Sequence, residues 1–157
     1  MKVVQVLPAL EVGGVERGTV DIARALIGAG HESIVISAGG RLVKRLEDEG
    51  STHVNWDLGK KSILSFFQIW AFRRWLREHR PDIVHVRSRM PAWIVWFAWR
   101  GMPKENRPRF VTTLHGMHSV NFYSSIMAKG ERVICVSETC KEYLFNNYEV
   151  DDSGKVS

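Results

Sequence analysis

The sequence predicts an α/β domain built on a doubly wound parallel sheet. Three observations lead there. Short runs rich in β-branched residues recur along the chain, stretches with a 3.6-residue apolar period fall between them, and the strand-like runs are apolar almost throughout. A strand with one wet face alternates polar and apolar residues. Unbroken apolar strands need cover on both faces, which parallel strands with crossover helices supply.

The elements follow in order. Residues 2–7 form a first strand and residues 15–29 an amphipathic helix that ends at Gly30. Residues 32–37 read as a second buried strand, and residues 41–49 as a short charged helix stopped by Gly50. Residues 52–56 make a weak strand, residues 62–79 a long helix capped by Ser62, and residues 82–86 a strand entered through Arg80-Pro81. A helix over residues 92–100 closes at Gly101. Strands at 110–114 and 132–136 follow, then a helix over 138–147 with Ser137 as its N-cap. The alternation is expected to give six strands and six helices. Linker-like composition is confined to residues 103–109 and 151–154, and residues 155–157 resemble the start of another strand.

Composition bounds the function. A chain of 157 residues, 45% apolar and 25% charged, is an ordinary globular domain and excludes disorder, collagen and a disulfide scaffold. The longest uncharged apolar run, residues 91–99, is far below the ~18 residues that span a bilayer, and no signal-peptide pattern opens the chain. A cytoplasmic location is expected. Cys135 and Cys140 have no zinc-spaced partners and read as reduced thiols. The net charge of +5 invites nucleic acid as a partner, yet acidic residues are interspersed and no recognition motif appears.

In such a sheet, ligands dock at the carboxyl ends of the strands, so the loops there hold the candidates. After the first strand, Gly13-Gly14 stands ahead of a helix, where close backbone approach and free amides suit phosphate or carboxylate; a bare turn explains it as well. The dinucleotide fingerprint G-x-G-x-x-G fails here, because the glycines are Gly13, Gly14 and Gly18 and the second strand ends without an acidic residue. A P-loop is also absent. After the fourth strand, Arg87-Ser88-Arg89 suits an anionic partner, with a solvated loop as the alternative, while His85 reads as a satisfied core histidine. After the fifth, His115 can donate to a substrate oxygen or serve structure alone; for His118 the structural role is favoured. No nucleophilic triad or metal cluster is visible.

These loops together resemble the N-terminal domain of family 4 retaining glycosyltransferases of the two-domain GT-B type. The residues that carry the resemblance are Gly13-Gly14-Val15-Glu16, Pro81-Asp82-Ile83-Val84-His85, Thr113-Leu114-His115-Gly116 and Val133-Ile134-Cys135-Val136-Ser137. The stretch His85-Val86-Arg87-Ser88-Arg89-Met90-Pro91-Ala92-Trp93 is most similar to members that build lipopolysaccharide and other surface glycans. The resemblance implies transfer of a sugar from a nucleotide-diphosphate sugar to a glycan or glycolipid acceptor, with no metal or other cofactor. His115 would be the catalytic group beside the transferred sugar, Gly13 and Gly14 would border the donor's phosphate or sugar, and Arg87, Arg89, Glu16 and Ser137 would serve the acceptor. The family's E-x7-E pair and diphosphate grip belong to a C-terminal domain and do not occur in residues 1–157. The expectation is therefore one Rossmann-like, acceptor-binding domain of two, inactive without its own C-terminal domain. The competing class is a non-catalytic α/β module that binds a phosphorylated or acidic ligand.

Six tryptophans are many for this length, and five fall from Trp70 to Trp99 among arginines. Arg73, Arg74 and Arg77 on the long helix suit an anionic inner-membrane surface; a sheet-packed helix with a solvated arginine face is the alternative. Trp93, Trp96 and Trp99 form a ridge better explained by the core.

Overall fold

Six parallel strands lie in the order β3-β2-β1-β4-β5-β6 in a computed structural model that describes residues 1–60, 62–150 and 154–157. In chain order the elements are β1 (Lys2–Val6), α1 (Gly14–Gly28), β2 (Glu32–Ser37), α2 (Val43–Asp48), β3 (Thr52–Asn55), α3 (Ser65–His79), β4 (Ile83–Val86), α4 (Arg89–Arg100), β5 (Arg109–Leu114), β6 (Arg132–Cys135) and α5 (Glu138–Asn147). The chain moves outward from β1 to β3, returns through α3 to pair β4 with β1, and then moves outward on the other side. The order reverses between β1 and β4, and a crevice opens there at the carboxyl ends of the strands.

The apolar strands are covered on both faces, as their sequences require. Val4, Val6, Val84 and Val86 face Phe72 and Leu76 of α3 and Val95 and Ala98 of α4, whereas Leu7 and Val35 meet Val20 and Ala23 of α1 and Leu46 of α2. The tryptophan ridge behaves as core: Trp93, Trp96 and Trp99 are partly buried against the first of these clusters. Cys135 and Cys140 are free thiols. The His85 ring is buried on β4, where its Nε2 lies 2.6 Å from the Thr113 hydroxyl, so it is a satisfied core histidine.

Three local expectations need correction. The helix α4 begins at Arg89, not residue 92: Ser88 is its N-cap and Pro91 occupies the third helical position, where a missing N–H costs nothing. The helix α3 begins at Ser65, because Ser62 instead accepts the Leu64 amide at 3.2 Å in a preceding turn. Between β5 and β6 there is only a 3-10 turn, Ser124–Ala128, leaving five α-helices among the described residues. Ser137 caps α5 as expected, accepting the Cys140 amide at 3.2 Å. Val156 pairs in parallel with Val133 at the edge of the sheet. Of the expected second linker, residues 151–153 lie outside the described residues.

The loop that follows β1 is tied down by its neighbour. Pro8 and Leu10 carbonyls accept the Ala38 and Leu42 amides, and the Leu10 amide donates to Gly39, all at 2.8–2.9 Å. This lacing brings Gly40, at φ +143, so close that a Cβ there would sit 2.4 Å from the Leu10 carbonyl carbon. Only glycine fits. The result is a fixed wall on one side of the crevice.

Candidate active site

The crevice holds a cavity of about 300 Å³ whose walls come from four segments: Pro8 and Ala9 after β1, Val15 and Glu16 on α1, Arg87 to Arg89 after β4, and Thr113, His115 and His118 on and after β5. The parallel register explains the convergence. β1 pairs with β4 through Val6 and Val86, and β4 pairs with β5 through Val86 and Thr112, so the three strands end side by side.

Arg87 organises the polar part of the site. Only 7% exposed, it donates from Nη1 to Oε1 of Gln5 at 3.1 Å and from Nε to Nε2 of His115 at 3.3 Å. Gln5 in turn donates from Nε2 to the Thr19 carbonyl on α1 at 3.1 Å. A polar group in a buried central strand is costly unless it is paired, and here each member pairs the next. Burial, followed by the charge of Arg87, pushes His115 down to about 4; the same two causes with His115 itself push His85 down to about 3. Both rings are therefore neutral near pH 7. Burial also lowers Arg87 from its ordinary value.

Most of the expected site residues meet here. His115, Arg87, Arg89 and Glu16 all line the cavity. Arg89 opens α4, donates to the Ser124 hydroxyl at 3.0 Å and lies over the Tyr123 ring. Gly13 and Gly14 do not line the cavity but adjoin it, since the Glu16 carboxylate folds back over Gly13 where a Cβ would stand 2.2 Å from its oxygen. Ser137 lies outside the cavity, exposed at the start of α5. Burial, followed by the charge of Arg89, lowers His118, which lines the cavity and whose carbonyl accepts from the Tyr143 hydroxyl, so it joins the wall as well as bracing the loop. Gln5 was not expected. Its signal is visible in retrospect: it is the one polar residue inside the strand Lys2–Val6 after the charged first position.

The basic helix differs from the expectation in detail. Arg73 is not free for a membrane, because its guanidinium donates to the Ala98 and Phe97 carbonyls, both at 3.1 Å, and so caps the carboxyl end of α4. Arg74 pairs with Glu78 at 2.7 Å, and Arg77 is exposed. Large apolar side chains also face solvent: Ile63, Leu64, Phe66, Phe67 and Trp70, with Phe97 of α4 beside them. Among the described residues no helix is long and apolar enough to cross a membrane.

Comparison with known proteins agrees with this fold. The model of glycosyltransferase family 4 matches residues 12–156. A glycosyltransferase from Rickettsia africae is 37% identical over 99% of this chain and 41% of its own, with a TM-score of 0.82. HepE from Anabaena, solved with UDP and glucose, is 15% identical with a TM-score of 0.75 over 100% of this chain and 43% of its own. The lipopolysaccharide outer core galactosyltransferase WaaB is 16% identical with a TM-score of 0.67, over 100% and 44% of the two chains. No curated protein matches. The chain thus spans less than half the length of these solved relatives, and it has the fold of the N-terminal domain of GT-B glycosyltransferases. A family match over nearly every residue, joined to a crevice at the strand-order reversal, leads to one conclusion: the chain belongs to glycosyltransferase family 4.

Proposed function

We propose that the chain is the acceptor-side half of a retaining glycosyltransferase that moves a sugar from a nucleotide-diphosphate sugar to a glycan or glycolipid of the bacterial surface, such as lipopolysaccharide. One observation carries this reading: a neutral histidine and two arginines converge, with Glu16, on a single cavity at the switch point of the sheet. An uncharged imidazole N–H can donate a hydrogen bond to a sugar hydroxyl or to the oxygen of a departing diphosphate. Arg89 and Glu16 offer charged and hydrogen-bonding groups to an acceptor across the same space. HepE, solved with UDP and glucose, and the galactosyltransferase WaaB support this substrate class.

On this reading a C-terminal domain provides the main donor site, and the 157 residues alone do not turn over. The protein works in the cytoplasm, at the anionic inner face of the membrane, where a lipid-linked acceptor would be met. The experiment is transfer by the longest natural form of the protein, with UDP-sugars and deacylated or intact lipopolysaccharide cores as acceptors. Release of UDP with an α-linked product from an α-linked donor is expected. Failure to consume any nucleotide sugar, or inversion at the anomeric carbon, overturns the reading.

A further inference from the structure

We infer that Arg87 is a positioning residue that holds His115 in the tautomer protonated at Nδ1, so that the ring offers the cavity a hydrogen-bond donor and not a base. The argument begins with what arginine can do. A guanidinium has only donors, so the ring nitrogen that meets Arg87 Nε, Nε2 of His115, must carry a lone pair. In a neutral imidazole the other nitrogen then carries the proton. That nitrogen, Nδ1, has no hydrogen-bond partner among the described residues, while the ring itself lines the cavity.

The orientation of Arg87 is itself enforced. Gln5 Oε1 takes Nη1, and the Gln5 amide is turned by its bond to the Thr19 carbonyl, so a chain of three directed bonds runs from α1 through β1 to the histidine. Arg87 lies almost wholly inside the protein and cannot swing to solvent without leaving Gln5 unpaired. The groups facing His115 are Arg87 and Arg89 after β4, His85 on β4, His118 on its own loop and Glu16 on α1. Only Glu16 would favour the protonated ring, and it is partly exposed beyond Gly13. Arg87 and burial act together to keep the imidazole neutral, and the direct bond decides which nitrogen holds the proton.

The catalytic consequence rests on the sugar-transfer reading, but the tautomer does not, and the two can be tested apart. Nitrogen-15 NMR of the histidine-labelled 157-residue chain, with the His115 signals identified by their loss in His115→Gln, reads the ring directly. A protonated Nδ1 and a lone-pair Nε2, unchanged from pH 7 to pH 5, are expected. An Nε2-protonated ring, or an averaged mixture, overturns the proposal whether or not Arg87→Met can be made. In Arg87→Met the ring is expected to become an averaged mixture and its titration to rise from about 4 toward the ordinary range. A ring state and titration identical to the unaltered protein overturn it. In the longest natural form, Arg87→Met is expected to lower kcat at least tenfold with little change in KM for the nucleotide sugar, and to add an acidic limb to the pH profile. If the tautomer is found but neither form consumes a nucleotide sugar, the positioning role stands and the sugar-transfer reading falls.

Discussion

At the scale of single residues, the site shows how a buried polar chain sets both chemistry and stability. His115 lines the cavity, and on the proposed function, with its Nδ1 without a partner among the described residues, His115→Ala in the longest natural form is expected to lower kcat about 10²–10³-fold, the usual cost of losing one donor to a developing charge. His85 affects stability instead. It is buried neutral and pushed down to about 3, whereas in the unfolded chain it titrates near ~6.5. Between those values the unfolded state holds more protons than the folded one. The stabilisation is therefore complete above about pH 6.5 and is lost as the pH falls toward 3, with a slope approaching about 1.4 kcal/mol per pH unit. Urea unfolding at pH 7, 6, 5 and 4 should show a falling midpoint, and His85→Gln should flatten the fall. A midpoint independent of pH over that range would show that the ring is not held neutral. The strand alternation marked His85 as core, but it could not reveal that Gln5, eighty positions earlier, reaches Arg87; that pairing exists only because β1 and β4 are neighbours in the sheet.

At the scale of elements, α3 and α4 lock through one arginine. Arg73 spans from α3 to two carbonyls at the end of α4, and the space it uses is the space Gly101 leaves: a Cβ on Gly101 would fall 2.1 Å from the guanidinium. Arg73→Ala is expected to cost about 1.5–3 kcal/mol, as for charged hydrogen bonds. Gly101→Ala should cost a similar amount by displacing the same group, and the double variant should cost little more than either alone. Additive losses in a double-mutant cycle by urea unfolding would show that the two do not share one interaction. The six strands, their parallel doubly wound class and most helices are legible in the sequence, because apolar periodicity and Gly or Pro stops report local geometry, whereas the order of the strands in the sheet is not. The errors have local causes too. The helix expected over residues 92–100 starts earlier, at Arg89, because its first turn tolerates Pro91, and Ser62, expected as a cap, closes a separate turn. The role of Arg73 was hidden because its partners belong to another helix.

At the scale of the whole molecule, exposed aromatic side chains of α3 and α4 are linked by ring contacts toward the cavity. Trp70 and Phe66 of α3 share a groove with Phe97 of α4; Phe97 stacks on Trp93, Trp93 stacks on Phe122, and the Trp93 indole donates to the Tyr123 carbonyl, next to the ring beneath Arg89. No acidic residue occurs in residues 62–77 or 83–104, and Arg100 and Lys129 lie over Trp96 at the margin. Aromatic rings with a cationic border are suited to the interface of an anionic bilayer, where rings insert and cations meet headgroups. A protein seated there would bring Arg89 and the cavity about 12 Å along α4 from Phe97, within reach of the headgroup of a lipid-linked acceptor. On the proposed function, a membrane contact is expected on this aromatic surface, because Arg73 of the row Arg73, Arg74 and Arg77 is engaged by α4 carbonyls. Sedimentation with vesicles of anionic and neutral phospholipid separates these two arrangements. The unaltered chain should pellet with anionic vesicles and be only partly released by 0.5 M salt, taken as roughly three times the ionic strength at which the Debye length is about 8 Å. Replacing Phe66, Phe67 and Trp70 by serine removes rings worth up to about 1.5–3 kcal/mol each when buried. The vesicle affinity should fall at least about 100-fold, with no loss of folded stability because all three are exposed. Arg73→Ala should lower stability and leave vesicle affinity unchanged. Equal pelleting of the triple variant and the unaltered chain would place the membrane elsewhere, and no pelleting of either would leave the acceptor to be met in solution.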